Sequence, residues 1–102
     1  MAAIKENTVT IALDKNGVLK NDNVSEETTQ ILKNILAILK EVNMDFSNVV
    51  KSTIFLKNMD DFNLVNEIYE KSFSQNPPAR ETVEVSRLPK DVNIEISVIA
   101  SK

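Results

Sequence analysis

The 102-residue sequence contains no cysteine and no histidine. Without cysteine the chain can form neither a disulfide, nor a thiolate nucleophile, nor a zinc–cysteine site. Without histidine it lacks the usual general base near neutral pH and the commonest metal ligand. Any catalysis must therefore rely on carboxylates, hydroxyls, lysine, arginine, amides, backbone groups and water.

Aromatic residues, basic clusters and long apolar runs are also scarce. The chain has no tryptophan and one tyrosine, and its net charge is −3. No stacking platform or basic footprint for nucleic acid is evident, so nucleic-acid binding is disfavoured. No apolar run approaches the ~20 residues needed to span a bilayer, and the opening residues lack a signal-peptide layout. We therefore expect a cytoplasmic protein without a membrane partner; a mitochondrial location stays open if the natural chain begins earlier.

The composition, 42% hydrophobic and 26% charged, is typical of a small globular protein, and we expect residues 1–102 to form one domain. The hydrophobic patterns predict six elements: a strand over 8–13, a helix over 26–42 capped by Ser25, a strand over 49–56, a helix over 58–74, and strands over 81–88 and 92–100.

The order of these elements predicts an α+β fold with both helices on one face of a mixed sheet. We expect the strand over 49–56 to be central, because it is apolar on both faces, and the last two strands to form an antiparallel hairpin. The other face of such a small sheet would be bare and would carry valines. Its burial in an oligomer is therefore expected.

Arg80 follows two prolines, Pro77 and Pro78, that stiffen the entry to the third strand. One interpretation is a carboxylate clamp, because a planar guanidinium on a rigid backbone suits bidentate binding of a carboxylate. The other is a surface arginine paired with Glu81 or Glu84, which would contribute little to stability.

Glu95 lies in the middle of the last strand, on its polar side. It is either an exposed strand residue or a carboxylate lining an interface cleft, where partial desolvation suits general acid–base catalysis. The predicted hairpin would bring Glu95 and Arg80 to the same end of the sheet as a hydrolytic pair.

Asp60 and Asp61 are interpreted as a capping pair for the second helix, since no third metal ligand is near them in sequence. The chain carries no phosphate-binding glycine loop, nucleophile elbow or paired metal-ligand motif. We predict no metal site.

Several segments together resemble the RidA/YjgF family of enamine/imine deaminases, also called the endoribonuclease L-PSP family. The resemblance runs from about Gly17 to the C-terminus. It rests on residues 49–56, 59–62, 65–69, 78–80, 83–91 and 94–100, which include Pro78-Ala79-Arg80 and Ile94-Glu95-Ile96.

The resemblance implies a chorismate-mutase-like fold and a homotrimer with clefts between adjacent subunits. It implies cofactor-independent hydrolysis of 2-imino acids, such as 2-iminobutanoate and 2-iminopropanoate, to 2-keto acids and ammonia. Arg80 would bind the substrate carboxylate, Glu95 would position the attacking water, and Asn66 would line or support the cleft. Thr82 stands where the family has a cysteine and could present its hydroxyl or backbone N–H to the carboxylate.

The sequence departs from the family pattern near its start and in its last strand. The family's Gly-Pro-Tyr-Ser segment and first strand are expected to be missing, residues 8–10 stand in place of Ser-Gly-Gln, and Ser97 replaces a second glutamate. Two other functions therefore stay open. One is a trimeric carboxylate-binding or chaperone-like protein without turnover; the other is a translation-inhibiting ribonuclease, which the acidic charge and the lack of histidine disfavour.

Overall fold

The structure is a computed structural model that describes residues 5–10 and 12–101. Its elements are β1 (Lys5–Thr10), α1 (Val24–Glu41), β2 (Val49–Leu56), α2 (Phe62–Ser72), β3 (Ala79–Glu84) and β4 (Ile94–Ser101). Short 3-10 turns precede β2, α2 and β4. The predicted order of strands and helices is confirmed. Neither α1 nor α2 is long and apolar enough to cross a membrane.

The four strands form one mixed sheet in the order β1-β4-β2-β3. β4 is antiparallel to both β1 and β2, whereas β2 and β3 are parallel. The predicted central position of β2 is confirmed, since it lies between β4 and β3. β3, which contains Arg80, forms one edge of the sheet.

The predicted hairpin of the last two strands is wrong, because β3 and β4 lie on opposite sides of β2. The segment between β3 and β4 crosses the end of β2, and a backbone hydrogen bond joins each end of this segment to the end of β2. The Val85 N–H donates to the Leu56 carbonyl (2.8 Å), and the Lys57 N–H donates to the Asn93 carbonyl (3.0 Å). β3 ends at Glu84, opposite the last residue of β2, instead of continuing to residue 88.

The first strand is displaced toward the N-terminus relative to the prediction of residues 8–13. β1 covers Lys5–Thr10, and Leu13 forms only an isolated bridge with Leu19. Between them the chain turns through Gly17, whose φ of 79° favours glycine. The side chains of Val9 and Ile11 lie outside the described part of the structure.

The first helix begins earlier than predicted, and Asn23 caps it in place of Ser25. Asn23 has an extended backbone, and its Oδ1 accepts a hydrogen bond from the Glu26 N–H at 2.8 Å. Ser25 is already inside the helix and cannot play this part.

Both helices pack against one face of the sheet, as predicted. α1 contributes a buried stripe at helical spacing and β4 buries every second residue. Burial of each large aliphatic side chain stabilises the fold by about 1.5–3 kcal/mol. The fully buried members include Ile31, Ile35, Leu39, Ile54, Leu56, Val65, Ile94 and Ile96.

The other face of the sheet carries no helix among the described residues, and we call it the open face. It is half-buried to exposed and mixes apolar with polar side chains: Lys51, Thr53, Phe55, Glu81, Val83, Glu95, Ser97 and Ile99. Val83 is 39% exposed. The prediction of a bare second face that carries valine is confirmed, since Val83 lies on it.

A buried carboxylate ties α1 to the start of β4. Glu27 is 0% exposed, and its Oε2 accepts from the Asn93 N–H at 3.1 Å. Its Oε1 accepts from Asn93 Nδ2 at 2.5 Å. The contact fixes the chain one residue before β4 and therefore fixes the position of Glu95.

Candidate active site

Arg80 is the second residue of β3 and points to the helix side of the sheet. Across the parallel register it pairs with Ser52, whose buried side chain belongs to the same side. The exposed guanidinium carbon lies 5.1 Å from the ring centroid of Tyr69 and 5.6 Å from that of Phe62. These cation–π contacts position the side chain while its charge stays accessible.

Asn66 connects Arg80 to a carboxylate on α2. Arg80 Nη1 donates to Asn66 Oδ1. Asn66 Nδ2 in turn donates to Glu70 Oε1 at 3.1 Å, one helical turn further along. Asn66, predicted to line or support the cleft, is thus brought directly against Arg80.

The alternative pairing of Arg80 with Glu81 or Glu84 is wrong. Glu81 lies on the open face, 3.4 Å from Lys51 Nζ. Glu84 Oε1 accepts a hydrogen bond from the Met59 N–H at 2.7 Å, which caps the 3-10 turn before α2. Within residues 5–10 and 12–101, Arg80 forms no ion pair. Its charge is therefore available to an anionic ligand.

Beneath Arg80, the hydroxyl of Tyr69 donates to Ser52 Oγ at 2.9 Å, in a buried position. Phe73 stacks on the Tyr69 ring, with 4.5 Å between ring centroids. Burial raises the pKa of the Tyr69 hydroxyl, while the bond to Ser52 and the charge of Arg80 act in the opposite direction. The sequence did not predict the hydrogen bond between Tyr69 and Ser52. The feature that could have indicated it is Ser52 itself, a polar residue on the apolar side of β2.

An open pocket of about 290 Å³ adjoins the guanidinium. This volume suits a ligand with few heavy atoms. The pocket offers one cationic and one anionic side chain beside apolar and aromatic surfaces, and is lined by Tyr69, Glu70, Phe73, Pro77, Pro78 and Arg80.

Thr82 lies on the same side of β3 as Arg80, two residues further along. Its Oγ1 is buried and has no hydrogen-bond partner within the described residues. The hydroxyl is therefore not displayed at the surface beside Arg80. Contact of Thr82 with a ligand carboxylate stays a prediction.

Glu95 lies on the open face, half-buried, opposite Phe55. Arg80 faces the helices and pairs with Ser52, three residues earlier on β2. The predicted placement of both residues at the same end of the sheet is wrong, because that placement required the hairpin. One small substrate cannot contact both side chains of the same chain.

Asp60 and Asp61 do not form the predicted capping pair. Asn58 caps the 3-10 turn, and its Oδ1 accepts from the Asp60 N–H at 2.9 Å. The Asp61 side chain makes no capping hydrogen bond to α2. Over the described residues, no group of three or more acidic side chains is placed to hold a metal ion.

The sequence signature of the family described as endoribonuclease L-PSP matches residues 7–102. AldR of Lactococcus lactis is 52% identical over 85 residues, which cover 83% of this chain and 68% of AldR. A human protein named 2-iminobutanoate/2-iminopropanoate deaminase is 49% identical over 84 residues, covering 82% of this chain and 61% of the human protein. Part of each relative therefore lies outside the match.

Solved structures agree with the sequence comparison. The crystal structure of the YjgF gene product of Escherichia coli superposes with a TM-score of 0.89 at 38% identity, over 98% of this chain and 80% of that one. The predicted α+β, RidA-like fold is thereby confirmed. The chain belongs to the RidA/YjgF family, which is also described as the endoribonuclease L-PSP family.

Proposed function

We propose that the protein hydrolyses 2-imino acids, such as 2-iminobutanoate and 2-iminopropanoate, to 2-keto acids and ammonia. The observation that carries the proposal is the unpaired guanidinium of Arg80, held beside a pocket by Asn66 and two aromatic rings. A pre-organised guanidinium suits a substrate carboxylate. The human relative named for this reaction supports the substrate class.

Arg80 binds the carboxylate of the imino acid and presents C2 to a water molecule. Glu95 orients this water and accepts a proton from it as the oxygen attacks C2. Glu95 passes this proton, and then the hydroxyl proton of the tetrahedral carbinolamine, to the nitrogen, so that ammonia leaves, the 2-keto acid forms and Glu95 is again a carboxylate. One imino acid and one water are consumed for each keto acid and each ammonia.

The two residues reach one substrate only if they come from different copies of the chain. Arg80 lies on the edge strand β3, and Glu95 lies on the open face. In the proposed homotrimer, the β3 edge of one subunit meets the open face of the next. Each cleft then receives Arg80 from one subunit and Glu95 from its neighbour.

The test measures ammonia and keto-acid release while an amino acid oxidase generates the imino acid in situ. We expect Arg80→Ala to lower kcat/KM by roughly 30–100-fold, mainly through KM, because a charge-assisted contact is lost. Glu95→Gln should lower kcat by about 10²-fold or more at similar KM.

Matched controls are the chain's other arginine and another exposed glutamate. Arg87 pairs with Asp91 at 2.6 Å in the turn before β4, and Glu67 is exposed on α2. Arg87→Ala and Glu67→Gln should keep wild-type rates. Unchanged rates in both Arg80→Ala and Glu95→Gln would refute the proposal.

A second candidate function is carboxylate binding without turnover. It is favoured by the fact that the anion site is complete within one chain, whereas Glu95 lies on the other face of the sheet. Binding of 2-ketobutyrate that depends on Arg80, in a protein that does not accelerate deamination, would establish this function instead.

A further inference from the structure

Glu70 is a charged residue beside Arg80 that the proposed reaction does not use. It is exposed, lies on α2, and lines the pocket next to the guanidinium. A carboxylate in this position repels simple anions, which are the ligands that Arg80 alone would attract. The pocket therefore suits a plain carboxylate less well than a ligand that also carries a positive charge.

The amide of Asn66 contacts both Arg80 and Glu70, and it indicates which chemical groups of a ligand these two side chains can bind at the same time. Its Oδ1 accepts a hydrogen bond from Arg80, and its Nδ2 donates one to Glu70. An α-amino or α-imino acid offers the same pair of groups, an acceptor carboxylate and an N–H donor joined through one carbon. Both charged side chains line the pocket, so a ligand in the pocket can contact the two together.

We infer that Glu70 is a specificity-determining residue that selects ligands carrying a cationic nitrogen next to the carboxylate. The inference rests on the proposed function, because Arg80 must bind the carboxylate. Glu70 then contacts the protonated imine or ammonium nitrogen. The ligand's side chain lies against Phe73 and Pro77, which line the rest of the pocket.

This selection has a consequence for catalysis. A nearby carboxylate favours the protonated iminium over the neutral imine, and the iminium is the better electrophile for water. The keto-acid product has lost the nitrogen and leaves Glu70 without its partner. Product is thus held more weakly than substrate, which aids its release.

The test compares two ligands with the same carbon skeleton, L-2-aminobutyrate and 2-ketobutyrate, by calorimetric titration. We expect the wild-type protein to prefer the amino acid by about fivefold, the upper range for an exposed ion pair. Glu70→Gln should abolish this preference, because the variant should bind the amino acid more weakly and the keto acid more tightly than the wild-type protein does. Because both charges are exposed, high salt should reduce the wild-type preference.

Glu67→Gln, on the same helix, is the matched control and should leave the ratio of affinities unchanged. Arg80→Ala should weaken binding of both ligands by roughly 30-fold or more. If Arg80→Ala does so but Glu70→Gln leaves the ratio at its wild-type value, the inference about Glu70 is wrong and the proposed function stands. If Arg80→Ala leaves both affinities unchanged, the carboxylate site itself is refuted. A wild-type protein that binds 2-ketobutyrate at least as tightly as L-2-aminobutyrate also overturns the inference.

Discussion

Arg80 is held on three sides, by the amide of Asn66 and by the rings of Phe62 and Tyr69. Such support restricts the side chain before a ligand arrives, so less conformational entropy is lost on binding. The arrangement also depends on Ser52, which anchors the Tyr69 hydroxyl beneath the guanidinium. The position of Arg80 therefore depends on β2, α2 and β3 together.

The ionisation of Tyr69 reports on this support. Burial raises its pKa above the ordinary value of 10.0, against the effects of Ser52 and Arg80. Since the folded pKa exceeds the unfolded one, the associated stability is fully present below the unfolded pKa and is lost as pH rises through the folded value. Ser52→Ala and Arg80→Ala should each raise the Tyr69 pKa further, because each removes an effect that lowers it.

Alkaline absorbance titration measures this directly, because Tyr69 is the only tyrosine in the chain. A reversible titration monitored together with circular dichroism separates ionisation in the folded state from unfolding. A midpoint at or below the ordinary tyrosine value in the folded wild-type protein would contradict the described burial.

At the level of elements, the contact between α1 and β4 is the one that positions Glu95. The buried carboxylate of Glu27 accepts two hydrogen bonds from Asn93. Glu27→Gln replaces one of the two carboxylate oxygens with an NH2 group, which is a donor and would face the N–H groups of Asn93. We expect a loss of about 1–3 kcal/mol in the free energy of unfolding, because a buried donor is left unsatisfied.

Urea denaturation measures this loss as a lower midpoint at constant slope. Glu26→Gln is the adjacent exposed control at the start of the helix, with an expected loss of about 0.3 kcal/mol from the helix dipole. Equal midpoints for the two variants would show that the Glu27 contact does not stabilise the fold.

The elements themselves were largely predictable, but their pairing was not. β2 was predicted with its observed bounds, because its residues are β-branched and apolar almost throughout. The hairpin of β3 and β4 was a natural expectation from their closeness in sequence. The parallel pairing of β2 with β3 instead depends on contacts between distant residues, which local patterns do not encode.

The candidate site shows the same division. Arg80 was identified from its rigid entry and Glu95 from its position on the polar side of the last strand, whereas Asn66 was identified from the family pattern. The residues that contact Arg80 were less predictable, because the contact of Asn66 with Arg80 depends on how α2 packs against the sheet. The structure also separates Arg80 from Glu95, which sequence reasoning had placed together.

On the scale of the whole molecule, the proposed reaction requires subunits that complete one another's sites. Arg80 and Glu95 lie on opposite faces of the sheet, so in the proposed trimer one chain would contribute to two different clefts. We expect a sedimentation mass three times the 11.4 kDa of the chain. The open face would then be buried between subunits, as its mixture of apolar and polar side chains suits.

The most direct measurement mixes two impaired variants, Arg80→Ala and Glu95→Ala, by refolding them together and assaying deamination at a substrate concentration well below the wild-type KM. In randomly mixed trimers, about a quarter of the clefts receive an intact Arg80 from one chain and an intact Glu95 from its neighbour. We therefore predict about a quarter of the wild-type rate, with almost none from either variant alone or from the two combined after separate refolding. A co-refolded mixture no more active than its separate components would contradict a catalytic cleft shared between subunits.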